Sequence, residues 1–335
     1  LAEAMLKIGG EINRLGTIED GSTNSDYHHG EKSRQISIHS TPLHMEWMDK
    51  KFNMIDTPGY SDFIGEALGA LSVVDMAVIT IHAVNGVEVC TETMWNHASQ
   101  LGIPKMLVVN GLDREHTKFD SILEQARKRF GNNVFPMQLP VNEGPGYNQN
   151  VDVLRTELIS YQADGSGKMT EGELPEELKE KVKGLHEELI EYVAESDDTL
   201  LEKFFEQGSL SEEEMRNGIH RAIQDQTFIP LFCTSATSNI GVARVCDFIS
   251  KYGSSPDDRK TVTAQDDQGN DVDVSLDGSE TVLQIFKTMS ESHVGELSLF
   301  RVYSGKVKTG KDYHNTNRNI NERFGHSFKY LQYGL

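Results

Sequence analysis

The chain has 335 residues, with 32 Lys and Arg against 52 Asp and Glu, for a formal net charge of −20. That balance excludes a protein that coats nucleic acid by bulk positive charge, although it leaves room for a local basic contact surface on an acidic body. At 37% apolar and 25% charged residues the composition is that of a globular chain, long enough for two domains or one large domain with an insertion.

Cys90, Cys233 and Cys246 are odd in number, far apart and outside any C-x-x-C pattern. They argue against a disulfide framework or a structural zinc site and point to a reducing compartment. The longest nearly apolar run, 76–84, is interrupted by Thr80 and His82 and is too short to span a bilayer. The first residues hold no cationic flank followed by an apolar segment, so no signal peptide is read. The expectation is a cytoplasmic protein with no membrane partner.

Leu1, Met5, Ile8, Ile12 and Leu15 recur at helical spacing and predict a buried helix, weakened by Gly9 and Gly10. A start inside an element leads to the expectation of further sequence upstream. Residues 19–34 are polar and without period, and read as a mobile loop. Leu43, Met45 and Trp47 alternate with polar residues, and 52–55 lead as a strand into Asp56. Then follow a helix over 62–72, a strand over 76–81, a helix over 91–101, a strand over 106–110, a helix over 117–129 and a strand over 133–139. Short apolar strands alternating with helices predict an α/β fold, a doubly wound parallel sheet covered on both faces.

The rhythm breaks at Pro140 and returns with PLFCTSA over 230–236 and a helix over 240–250. Between them lie a hairpin-like stretch, YQADGSGKMTEG, and an acidic helical run from Glu176 to about Asp225. An inserted α+β subdomain over about 150–228 is therefore expected within a first domain of 1–252. Residues 253–279 read as a linker with one short hairpin. Alternation from Thr281 onward predicts the first part of an all-β barrel domain over 280–335, cut short at Leu335.

Four short segments sit at or near the carboxyl ends of predicted strands, where open α/β sheets bind ligands. Asp56-Thr57-Pro58-Gly59 follows the first: the carboxylate can hold Mg²⁺ through water, and Gly59 lets a backbone N–H approach a terminal phosphate. Read singly, the same four residues make an ordinary turn. Asn110-Gly111-Leu112-Asp113 follows the second, and its Asp and Asn can bind the two edges of guanine, although the pattern is common by chance. Thr234-Ser235-Ala236 offers backbone donors to the guanine O6. In EKSRQISI over 31–38, the Ser37 hydroxyl can ligate Mg²⁺ as a loop folds over a γ-phosphate; otherwise this is a polar loop entering a strand.

In their order and spacing these segments resemble those of translational GTPases, most closely elongation factor G. The resemblance runs through TIEDG, DTPGYSDFIGEALGALSVVD, VEVCTETMWNHASQLGIPKMLVVNGLDREH, FCTSATSNIGV and HVGELSLFRVYSGKVKTG. It implies a P-loop GTPase-type first domain carrying that factor's inserted subdomain, followed by the start of its second domain. It further implies GTP and GDP with Mg²⁺ as ligands, and the ribosome, through ribosomal RNA and stalk proteins, as partner of a monomer that leaves DNA alone.

By the same resemblance Asp56 is an outer-shell magnesium carboxylate, Ser37 the switch hydroxyl and Gly59 the γ-phosphate sensor. Thr57 and Pro58 shape the turn carrying Gly59. Asn110, Gly111, Leu112, Asp113, Ser235 and Ala236 form the guanine site.

Several positions depart from the family. The phosphate-cradling G-x-x-x-x-G-K-[ST] does not occur, Leu1 aligns just after it, and a fragment boundary is the expectation. The decoy GKVKTGK over 305–311 is followed by Asp312 and predicts a hairpin turn. Tyr60 stands where the family has a water-positioning His, and a phenol cannot replace imidazole at neutral pH. Gly111 lacks the Lys stem of N-K-x-D, and Gln35-Ile36-Ser37 replaces Gly-Ile-Thr while keeping a hydroxyl.

The implied activity is GTP hydrolysis, weakened by Tyr60, in promoting translocation of tRNA and mRNA. A hydrolysis-deficient ribosome-binding factor and a ribosomal protection or release-factor-type GTPase remain open alternatives. The adjacent His28 and His29 lack a third ligand at useful spacing and are read as solvated. The acidic helices are read as a solvated face, which the resemblance would turn toward the ribosomal stalk.

Overall fold

The structure, a computed structural model, describes residues 1–266, 268–291 and 295–325. It divides into two units, Leu1–Ser254 and Ser255–Leu335. The first unit begins with α1 (Ala2–Ile8), α2 (His29–Arg34) and an antiparallel hairpin of β1 (Thr41–Trp47) and β2 (Lys50–Asp56). A 3-10 turn, Ser61–Phe63, runs into α3 (Ile64–Leu71). Then come β3 (Ala77–His82), α4 (Val89–Gln100), β4 (Lys105–Asn110), α5 (Phe119–Phe130) and β5 (Val134–Pro136).

The chain then leaves this pattern for β6 (Gln138–Pro140), β7 (Gln149–Asp152), β8 (Glu157–Tyr161) and β9 (Met169–Gly172), an antiparallel sheet in that order. Three helices follow, α6 (Glu176–Glu195), α7 (Asp198–Gln207) and α8 (Glu212–Gln224). The α/β rhythm resumes with β10 (Ile229–Thr234) and α9 (Val242–Tyr252).

The parallel sheet has the order β3-β4-β10-β5, so the strand reached last in sequence is inserted between two earlier ones. This is the α/β architecture expected from the alternation of strands and helices. Every residue of β10, and all of β4 except Asn110, is buried, which is why these strands read as continuous apolar runs. In β3 burial alternates, with Ala77, Ile79 and Ile81 inward and Val78 and Thr80 exposed. Cover on both faces therefore does not extend to this edge strand. A second apolar cluster joins Ala4, Met5 and Leu6 of α1 to Leu43 and Met45 of β1 and Val242 and Cys246 of α9.

Three local expectations differ from what is observed. The helix read over Leu1 to Leu15 stops at Ile8, because Gly10 turns into the left-handed region at φ +79. Ile12 and Leu15 still pack on the second cluster, so their spacing reported burial without reporting a helix. The strand read over 133–139 is two strands in two sheets. Met137 links them, donating its N–H to Leu231 O at 2.9 Å and accepting from Val153 N–H at 3.0 Å.

Residues 19–34 are not uniformly a loop, since they hold α2 and are tied to the body of the unit. The Glu3 carboxylate accepts from the N–H groups of Gly16 and Asn24, each at 2.9 Å. The fully buried Glu31 accepts from the backbone of His28, Ile38 and His39.

The second unit is built of antiparallel hairpins: β11 (Thr261–Gln265) with β12 (Asp271–Ser275), β13 (Val282–Glu291) with β14 (Gly295–Ser304), and β15 (Asp312–Asn315) with β16 (Ile320–Arg323). Phe300, Tyr313 and Phe324 meet edge to face within it. No closed barrel forms among the described residues. Residues 305–311 turn the chain from β14 to β15, with no helix after them. Residues 292–294, which include the start of the HVGELSLFRVYSGKVKTG segment, and 326–335 of the expected barrel domain lie outside the described residues.

Candidate nucleotide site

The carboxyl ends of β3, β4 and β10 lie level: His82 pairs with Asn110, and Asn110 with Thr234. After β10 the chain closes a tight loop, with Ser235 N–H donating to Ile240 O at 3.0 Å and Ile240 N–H returning to Ser235 O at 2.9 Å. Gly241 then opens α9 at φ +78, where a Cβ would lie 2.1 Å from the Cys233 carbonyl oxygen. Only glycine allows this helix to start so close behind β10.

Two distant segments interlock across this row. Asn110 Oδ1 accepts the Ala236 N–H at 2.9 Å and the Thr234 hydroxyl at 3.2 Å. In return, Thr234 O accepts the N–H groups of Gly111 at 3.0 Å and Leu112 at 3.2 Å. Leu112 is fully buried and anchors the turn, and Gly111 adopts φ +87. Asp113 Oδ2 accepts from the hydroxyls of Ser238 at 3.1 Å and Thr237 at 3.3 Å. Its other oxygen, Oδ1, is buried without a hydrogen-bond partner.

Asn110, Gly111, Leu112, Asp113, Ser235 and Ala236 are thus brought together. The Ala236 N–H is already engaged by Asn110, so that donor orders the site. A buried carboxylate oxygen with no partner carries a desolvation cost that an N–H donor would remove. Guanine presents such donors at N1 and its exocyclic amine.

A second group of residues surrounds the end of β2. Asp56 is the last residue of that strand and pairs with Thr41. Of the residues that follow, Pro58 is buried, whereas Gly59 is exposed and a Cβ on it would meet nothing within 4 Å. Tyr60 is 57% exposed and leads into the 3-10 turn, where its carbonyl accepts the Phe63 N–H at 3.0 Å.

The half-buried Ser37 hydroxyl lies near the Asp26 carboxylate and favours its charged form, while the Oδ1 of that carboxylate is buried without a hydrogen-bond partner. Burial pushes the Asp26 carboxyl above the usual carboxylate range against the lowering effect of the nearby Ser37 hydroxyl, and the charges of Glu31, Asp56 and Glu3 add to the rise. Ser37 and Asp56 therefore share an acidic neighbourhood centred on Asp26. Sequence reasoning missed Asp26 because it lies in an aperiodic polar stretch, where a single acidic residue gives no signal.

This neighbourhood fits a divalent cation: it gathers a hydroxyl, a partnerless carboxylate oxygen and several negative charges that form no ion pair among the described residues. Among the described residues, no three His, Cys, Asp or Glu side chains converge as a ready-made cage. Mg²⁺ in phosphate-transfer sites is held by one or two side chains together with substrate phosphates and water, so it needs no such cage. No helix among the described residues is long and apolar enough to cross a membrane.

Residues 1–255 match the family model of the elongation factor Tu GTP binding domain. The chain is 33% identical over 330 residues to elongation factor G of Salinibacter ruber (strain DSM 13855 / M31), an alignment covering 97% of this chain and 47% of that protein. It thus spans about half the length of this curated relative. A crystal structure of a protein from Thermus thermophilus superposes with a TM-score of 0.84 at 29% identity, covering 97% of this chain and 46% of the other. The interlocked motifs and these likenesses agree, and the chain belongs to the elongation-factor family of translational GTPases, with elongation factor G as its kind of relative.

Proposed function

We propose that the protein binds GTP and GDP with Mg²⁺, engages the ribosome and promotes movement of tRNA and mRNA by slow GTP hydrolysis. The observation that carries this reading is the partnerless buried Asp113 Oδ1 beside the Asn110–Ala236 hydrogen bond. A site that leaves an acceptor orphaned in the free state is matched by a base that brings the donor. In this reading Asp113 accepts from guanine N1 and its amine, while Asn110 and the Ser235-Ala236 loop frame the other edge.

Ser37 and Asp56, with Asp26, would hold Mg²⁺, and Gly59 would meet the γ-phosphate from the turn shaped by Thr57 and Pro58. The cation supplies charge neutralisation on the phosphates when bound. Tyr60, in the water-positioning place, can hydrogen-bond a water but not take its proton as an imidazole does. Slow turnover follows. The guanine-nucleotide domain would be 1–252, with the subdomain near 150–228 facing ribosomal stalk proteins, a linker over 253–279 and a β domain from 280 onward. The protein would act as a cytoplasmic monomer.

A second reading, a factor that acts by nucleotide-dependent occupancy of the ribosome without catalysis, is favoured by Tyr60 and by the missing side chain at Gly111. Asp113→Asn tests the guanine assignment directly. Asparagine turns a donor toward the base, so GDP affinity should fall about ten- to hundredfold while xanthosine diphosphate, which carries an oxygen at that position, gains. Unchanged preference for GDP in the variant would remove the assignment.

A further inference from the structure

The Asn110–Asp113 turn leaves one feature unassigned. Gly111 has no side chain, and the side chain of Arg114 folds back over it. Arg114 Nε, Cδ and Cγ lie 3.5, 3.6 and 4.0 Å from where a Gly111 Cβ would stand. Arg114 N–H donates to Gly111 O at 3.1 Å, closing the turn that brings the two together. The Arg114 side chain is exposed, and among the described residues its guanidinium makes no hydrogen bond or ion pair. It is a long cation in an acidic chain, lying over the Gly111 backbone and, among the described residues, without a carboxylate partner.

We propose that Arg114 is a binding residue of this site, its guanidinium plane covering one face of the bound guanine. The proposal rests on the guanine-nucleotide reading. Asp113 and Asn110 address the edges of a purine, and edge contacts leave its two faces open. Gly111, between them in the turn, supplies no covering atoms. Arg114 lies over Gly111 and can reach across that gap. A planar, weakly hydrated guanidinium stacks on aromatic rings, and here it also opposes the negative charge of the nucleotide.

A face contact is blind to the groups on the base edge, which sets it apart from everything Asp113 does. Removing it should weaken every purine diphosphate the site accepts by one common factor.

The test is fluorescence titration and dissociation kinetics of the full-length protein with GDP and with inosine diphosphate, comparing the native protein, Arg114→Ala and Asp113→Asn. Arg114→Ala is expected to bind both nucleotides about three- to tenfold more weakly, chiefly through faster release, with their ratio unchanged. Its melting midpoint without nucleotide should match the native one, because the side chain is exposed. Asp113→Asn should instead change the ratio. Native-like affinity in Arg114→Ala, or a loss confined to GDP, overturns the proposal while leaving the guanine reading intact. If the native protein binds neither nucleotide, the guanine reading fails and this proposal with it.

Discussion

Ala236 donates its backbone N–H to the Asn110 side chain at 2.9 Å, although 126 positions separate them in the chain. This bond ties the turn after β4 to the loop after β10 and makes one site of two short segments that mean little separately. It also explains why the excursion through four antiparallel strands and three helices leaves the site undisturbed. The excursion departs and returns through neighbouring strands of a single sheet, and the loops that meet sit on the same row of that sheet.

Asn110→Ala should therefore do two things at once. It removes the acceptor for Ala236 N–H, while the Thr234 hydroxyl keeps Val109 O at 3.1 Å, and it removes a side chain facing the proposed base. Unfolding free energy should fall by about 1–3 kcal/mol, as when a part-buried donor is left unpaired. Nucleotide affinity should fall at least tenfold. Denaturant titration and GDP binding on the same variant check the pair of effects.

Asp26→Asn should separate stability from function. Burial raises the Asp26 carboxyl in the folded chain, so between its unfolded and folded values the native state holds more protons than the unfolded one. Stability from this group is greatest at low pH and declines as pH rises through that window. An amide keeps an oxygen beside the Ser37 hydroxyl and removes the charge. Without nucleotide the variant should melt at a higher temperature at pH 7 than the native protein, while Mg²⁺-dependent GDP binding weakens. Melting curves with and without Mg²⁺ and GDP provide the check.

Lys105 opens β4 and is buried, with its ammonium over the Trp95 ring at 5.0 Å and donating to Ile103 O and Gln226 Oε1. Burial holds its pKa down from 10.5 to about 8. Above that pH the folded side chain is neutral while the unfolded chain still binds the proton, so the group makes stability rise between about pH 8 and 10.5. The drop corresponds to about 3 kcal/mol. The native stability minus that of Lys105→Met should therefore climb by roughly 2–3 kcal/mol across this range, measured by denaturant titration at several pH values. A flat difference would show that the ammonium titrates as it does in water.

Much of this was legible in the sequence where apolar spacing reports burial. The runs in β4 and β10 and the motif residues at their ends could be placed without coordinates, because a fully buried parallel strand has little choice of side chains. The order of strands could not, since nothing local tells β10 to enter between β4 and β5. The break at Met137 was hidden for a related reason: two short strands in different sheets are equally apolar and read as one.

Asp26 and Glu31 were hidden more deeply. Their meaning comes from folding a polar segment back onto β1 and the end of β2, and one sequence records only that they are acidic. Arg114 was in view but carried no signal until its side chain was found over Gly111.

The measurement that bears most directly on the central claim is GTP turnover by the full-length protein, alone and with ribosomes, beside Tyr60→His. The account predicts that ribosomes raise turnover in both proteins and that Tyr60→His is faster by at least about tenfold, since one group that positions charge and water at a γ-phosphate can carry that much or more. Turnover that ribosomes leave unchanged in both proteins, although GDP still binds, would contradict it.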